Sequence, residues 1–141
     1  MKLFKLMLCA IVMVAFTACG PSYNESKCKE LQKKINKADE YSDLDDKEYS
    51  EMMDQYLAIE KEALSKVKGC KTLKDVEKLY KDKKIQKMAE YESLFEYYLE
   101  GAYEDGALSA SNEKKYEKMR EQVDAMMDEM NDKIEELADE D

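Results

Sequence analysis

The sequence predicts an all-α fold: an antiparallel up-down bundle of four helices with a short first member, or three helices if the first stays loose. Three observations lead there. Pro21 is the only proline and glycine occurs 4 times in 141 residues, so little interrupts a helix beyond the first two dozen positions. Charged side chains make up 40 % of the chain. Apolar residues nevertheless recur at three- and four-residue steps, the spacing of one helical face. That regularity argues against disorder, the competing reading for so polar a chain.

The first helix is placed at residues 22–41. Ser22 and Glu25 have the spacing of a capping box, and Cys28, Leu31, Ile35 and Ala38 form a narrow stripe. Asp45 and Glu48 begin the second helix, with Leu44 and Tyr49 placed to close a hydrophobic staple. Its stripe is Tyr49, Met52, Met53, Tyr56, Ile59, Ala63 and Val67. Gly69 is read as its stop, in a positive-φ conformation. Thr72 with Asp75 opens the third helix, which is read as continuous to the turn Glu104-Asp105-Gly106 because no glycine or proline interrupts residues 81–87. The fourth starts near Ser109 or Ser111 and runs to about Ala138, with Tyr116, Val123, Met130 and Leu137 seven apart.

Charge order adds a topological expectation. The third and fourth predicted helices are each basic in their first half and acidic in their second, against the preference of the helix dipole. Packing the two as an antiparallel hairpin would set each basic half beside an acidic one. Exposed ion pairs contribute only ~0–1 kcal/mol each, so this selects orientation more than stability.

The leader reads as a secretory signal. Lys2 and Lys5 form a basic start, Leu6 to Phe16 is uncharged and apolar, and small residues follow. The run is shorter than the ~20 residues of a membrane span. Phe16-Thr17-Ala18-Cys19 resembles the lipobox of bacterial lipoproteins, with Phe16 in place of the usual Leu. The resemblance covers only the leader. It implies cleavage after residue 18, lipid on Cys19, a short tether over residues 19–22 and one domain over 23–141. An ordinary signal peptide would instead leave Cys19 as a thiol. The residues after the Cys lack both the Asp that resembles an inner-membrane retention signal and an acidic surface-export cluster. The implied location is therefore the cell envelope, in the outer membrane facing the periplasm.

Removal of the leader takes Cys9 with it and leaves Cys28 and Cys70, for which a disulfide is the default in an oxidising compartment. A tight connection between the first two helices would hold these thiols beyond the ~7 Å Cα limit. The bridge thus requires an extended chain over residues 41–45; two buried free thiols are the alternative.

Function is less legible. A formal charge of −10 disfavours nucleic acid and bare anionic lipid as partners. The chain has 0 histidines, which excludes Cys/His zinc sites and His-based nucleophile relays. No phosphate loop or nucleophile elbow occurs, so no catalytic residue, metal ligand or cofactor is assigned. The stretch from Asp43 to Glu48 begins like a calcium loop but puts Lys47 and Glu48 where a ligand and the turn Gly belong, and the capping role of Asp45 explains it better. Asp124, Asp128 and Asp132 are read as a solvated face. Tyr97, Tyr103 and Met127 lie at or beside the stripes and form the candidate partner surface. The leading expectation is a non-enzymatic, lipid-anchored interaction or scaffolding protein with a protein partner in the envelope. The alternative is a small-ligand or cation-binding protein using the bundle core or the acidic face. An internal apolar cavity would favour the latter.

Overall fold

A computed structural model describes residues 20–140. Among them are α1 (Glu25–Ile35), a 3-10 turn (Tyr41–Asp43), α2 (Asp46–Lys68), α3 (Leu73–Lys81), α4 (Lys83–Glu104) and α5 (Ala110–Glu140), with no strand. The all-α expectation holds, with five helices.

Two helix starts follow their sequence signals. Asp45 accepts from the Glu48 amide at 2.8 Å while Glu48 accepts from the Asp45 amide at 3.0 Å, and Leu44 and Tyr49 are buried beside this box. Thr72 and Asp75 make the same reciprocal pair. The α4–α5 turn also forms where expected. Gly106 takes φ 70°, the Ala107 amide bonds the Ala102 carbonyl at 2.9 Å and the Gly106 amide bonds that of Tyr103 at 3.2 Å, a Schellman closure. Gly69 does not need its freedom: its φ is −74°.

The first helix is shorter than predicted at both ends. Asn24, not Ser22, caps it, accepting from the Lys27 amide at 3.0 Å. It ends at Ile35 because side chains offer the following backbone other partners. Asp43 accepts from the amides of Asp39 and Glu40 at 2.9 and 3.1 Å. The Tyr49 hydroxyl donates to the Tyr41 carbonyl at 2.6 Å. Such local bonds compete directly with the helical ladder. The connection to α2 is therefore a compact turn, not an extended segment.

The predicted third helix is two helices. Asp82 is extended (φ −67°, ψ 129°), and its carboxylate accepts from the Lys84 and Ile85 amides at 2.9 and 3.1 Å. Aspartate thus makes the break that glycine or proline was expected to supply. Gln86 reaches back to the Tyr80 carbonyl at 3.2 Å.

Cross-helix bonds set the directions. Lys34 pairs with Glu48 and the Asn24 amide donates to Gln55 at 2.8 Å, so α1 runs against α2. Tyr49 stacks on Tyr98 and Lys84 pairs with Glu62 at 2.7 Å, so α4 does also. Along α5, Asn112 bonds the Asp46 carbonyl, Lys115 pairs with Asp54, and Lys68 pairs with Glu129. That makes α2 and α5 parallel, and theirs is the most extensive helix contact. The expected compensation through an α4–α5 hairpin is corrected accordingly. Acidic-then-basic α2 lies in parallel beside basic-then-acidic α5. Helix α4 runs against α5 at greater backbone separation, bridged by long side chains such as Tyr103 on Tyr116.

The main core gathers Leu31, Met52, Met53, Tyr91, Phe95 and Leu99, all 1 % exposed or less. Burial of each such side chain contributes about 1.5–3 kcal/mol. A smaller cluster joins Cys70, Val76 and Leu137 where α3 crosses the far ends of α2 and α5.

The expected disulfide is absent: Cys28 and Cys70 are free. Cys28 sits against Gln55, whereas Cys70 lies fifteen residues farther along the chain, about 22 Å at helical rise. Each thiol has its own acceptor, Gln55 Oε1 at 3.6 Å and the Lys66 carbonyl at 3.4 Å.

Loss of the Asp82 cap tests the break. Asp82→Ala should lower stability by about 1 kcal/mol, with Asp82→Asn retaining most of it, as read from urea midpoints. An unchanged Ala variant would show that the break owes nothing to this side chain.

Candidate functional site

Helix α2 packs against all four other helices, so even polar positions on it are buried. Gln55 and Glu60 are 5 % and 2 % exposed. Gln55 makes three bonds: it accepts from the Asn24 amide and the Cys28 thiol and donates to the Ser22 carbonyl. Glu60 lines the same groove as Glu92 of α4, and each carboxyl acts on the other. Two neighbouring carboxyls with no cation between them disfavour full ionisation. Burial first, then Glu92 and the charge of Glu96, push Glu60 up to about 8. Glu92 is also raised, chiefly by burial. The neighbouring Tyr56 hydroxyl is raised by burial and by Glu96, Glu60 and Glu92 in that order.

The two acids line a groove of about 220 Å³. Its walls are Ile59 and Val67 of α2, Leu79 of α3, Ile85 and Met88 of α4 and Met130 of α5. Tyr80, Gln86 and Met127 make an exposed rim. A second cavity of about 60 Å³ lies between α4 and α5, where Glu96 and Glu100 face Arg120 and Asp124. The groove with Glu60 and Glu92 is mostly apolar, with two convergent acidic groups, the usual composition of a small-ligand site.

Cys19 lies outside the described residues. Tyr97 is 73 % exposed beside the Tyr41–Asp43 turn, and Tyr103 is half-buried with its hydroxyl on Glu117 at 2.9 Å. Met127 is 46 % exposed on the groove rim. It stands eleven residues beyond Tyr116, the ring packed on Tyr103, or about 16 Å along α5. The three do not form one patch. Cys28 is buried, and that burial, with the Glu25 charge, pushes its thiol up to about 11. Cys70 is also raised, first by burial and then by Asp75. Neither thiol is poised as a nucleophile. Asp45 caps α2 as expected, Asp124, Asp128 and Asp132 are exposed, and the described residues hold no cluster arranged for a metal ion.

Glu60 and Glu92 were missed in the sequence, although a signal existed. Tyr56, Glu60, Ala63 and Val67 are spaced four, three and four apart; so are Met88, Glu92, Phe95 and Leu99. Each acid occupies an apolar-stripe position.

The chain matches no protein-family model, curated protein or solved structure.

The carboxyl pair carries a pH signature. The unfolded chain ionises Glu60 near pH 4.5, whereas the folded chain retains its proton to about pH 8. Stability therefore falls as pH rises between these values. The facing groups are Glu92 and Glu96 of α4, Tyr56 of α2 itself, Tyr80 of α3 at the rim, and Tyr116 of α5 near Tyr56. The urea midpoint should be lower at pH 8 than at pH 5, and Glu60→Gln should shrink that difference. An undiminished difference in the variant would assign it to other groups.

Proposed function

We propose that the protein is a lipid-anchored cell-envelope binding protein, acting without catalysis, whose helical domain takes a small ligand in the groove between α2, α3, α4 and α5. The anchor is Cys19, on the lipobox-like leader, and the outer membrane facing the periplasm is the proposed location. In this reading α3 and α4 together make the third rung of an up-down bundle whose short first member is α1, in one domain over 23–141. The carrying observation is the groove itself, with apolar walls, an exposed rim, the buried Glu60 and the half-buried Glu92. An apolar cavity of ~150 Å³ holds benzene, so this volume suits a somewhat larger body. A second reading, a protein partner in the envelope, is favoured by the 73 % exposure of Tyr97 at the other end of α4.

Two experiments separate anchor from ligand site. Cys19→Ala should move the protein from the membrane pellet to the soluble periplasmic fraction and abolish labelling by radioactive palmitate; retained labelling would refute the anchor. Toluene and 1-hexanol, as plain apolar probes, should raise Tm by a few degrees at saturation. Ala63→Phe, which places a ring in the groove, should remove that rise. A rise that survives in the variant would put the probes elsewhere.

A further inference from the structure

Glu60 and Glu92 differ from the acids around them in what answers their charge. Glu62 on α2 takes Lys84, Asp54 takes Lys115, and Glu90 on α4 takes Lys87. Among the described residues no ion pair includes Glu60 or Glu92. A buried carboxylate without a cation is costly, and burial beside Glu92 pushes Glu60 toward its protonated form. The pair nevertheless stands on the wall of an open groove rather than sealed in the core. A cation arriving through the rim could reach both carboxyls. The rest of the lining offers it little: Ile59, Leu79, Ile85, Met88 and Met130 are apolar, and the polar Tyr80 and Gln86 stand at the rim. A bare metal ion, which requires several oxygen ligands or water, suits two carboxyls among methyl groups poorly. An organic ammonium suits them well, since it brings several N–H donors and its own apolar surface.

We infer that the groove binds a small organic amine, its ammonium seated between the Glu60 and Glu92 carboxyls and a compact apolar body of roughly six to eight carbons lying against Ile59, Leu79, Ile85 and Met130. This rests on the ligand-binding role proposed above and names its ligand class. The ammonium and the Glu60 proton compete for the same carboxyl. Binding releases that proton to the buffer, so affinity increases with pH through neutrality. The groups facing the pair are those named for its titration, and Arg120 and Asp124 of α5 act only on the Glu96 side, through the neighbouring cavity. Tyr80 at the rim supplies a ring face on the route in, which favours a cation over an anion.

Calorimetry on the full-length protein with three probes of one shape decides the matter: cyclohexylmethylamine, cyclohexylmethanol and cyclohexanecarboxylate. At pH 8 the amine should bind at least about tenfold tighter than the alcohol, which is one charge-assisted contact's worth, and the carboxylate should not bind. The amine should weaken about tenfold on going from pH 8 to pH 6, with the alcohol unchanged. Glu92→Gln should weaken the amine about tenfold, with Glu60→Gln as a second variant and circular dichroism confirming that each is folded. Equal binding of amine and alcohol would overturn the amine inference and leave the ligand-binding role standing. Failure of all three probes at both pH values would overturn both.

Discussion

The burial of α2 is the constraint on which the rest of the structure depends. A helix in contact with four others has almost no purely solvated face over its middle turns. Polar side chains there must find partners inside the protein. Gln55 does so by stitching down the chain that leads into α1. Glu60 does so by holding its proton beside another acid, Glu92. The same helix sets the direction of α5: its first turns are acidic and its last ones basic, and α5 lies alongside with the opposite order. Asn112 fixes the register at the Asp46 end, and Lys68 with Glu129 fixes it farther along. Such pairs contribute little individually, yet like charges would oppose one another along the whole contact if α5 were reversed.

The break at Asp82 explains why a groove exists at all. A continuous helix from Thr72 to Asp105 would present one straight stripe to α2. The break instead frees α3 to cover Cys70 and Leu137 while α4 starts afresh against the middle of α2. Leu79 and Tyr80 on one side of the break, and Ile85 and Gln86 on the other, flank the opening it leaves. Methionines 88, 127 and 130 line much of the remainder. Flexible, polarisable thioethers adapt to bodies of differing shape, which suits a site wall better than a rigid core.

Local chemistry was the legible part of the sequence. Asp45 with Glu48, Thr72 with Asp75, and Gly106 act within a few residues of themselves, so spacing alone reveals them. The failures are cases where a distant partner decided. The end of α1 depends on Tyr49, which takes a carbonyl from the turn before α2. The partner of α5 was misjudged because charge order fits two pairings, hairpin with α4 or parallel with α2, and only packing chooses between them. The missing Cys28–Cys70 bridge has the same origin, since a compact turn replaced the extended connection it required. Asp82 is local and has the chemistry of an N-cap, yet no glycine or proline marks the break it makes. Glu60 and Glu92 were legible singly as acids on apolar stripes. Their pairing was not, because it requires the register of α4 on α2.

Taken with the proposed anchor, the fold also fixes the height of the groove above the membrane. The chain just after Cys19 is held in place: Gly20 lies against the Lys61 ammonium, and Ser22 and Asn24 are tied to Gln55. A lipid on Cys19 would therefore enter the bilayer level with the middle of α2, not with the far end of α1. The groove draws on Ile59, Glu60, Ala63 and Val67 of that same stretch. These residues lie four to twelve positions past Gln55, roughly 6–18 Å along the helix. A ligand with an apolar body and a cationic head gathers at the lipid–water boundary, where both parts are satisfied. Anchor and groove thus favour the same kind of molecule by separate routes. On the proposed reading the tether would hold the opening near that boundary, and Glu60 with Glu92 would select the cation from it.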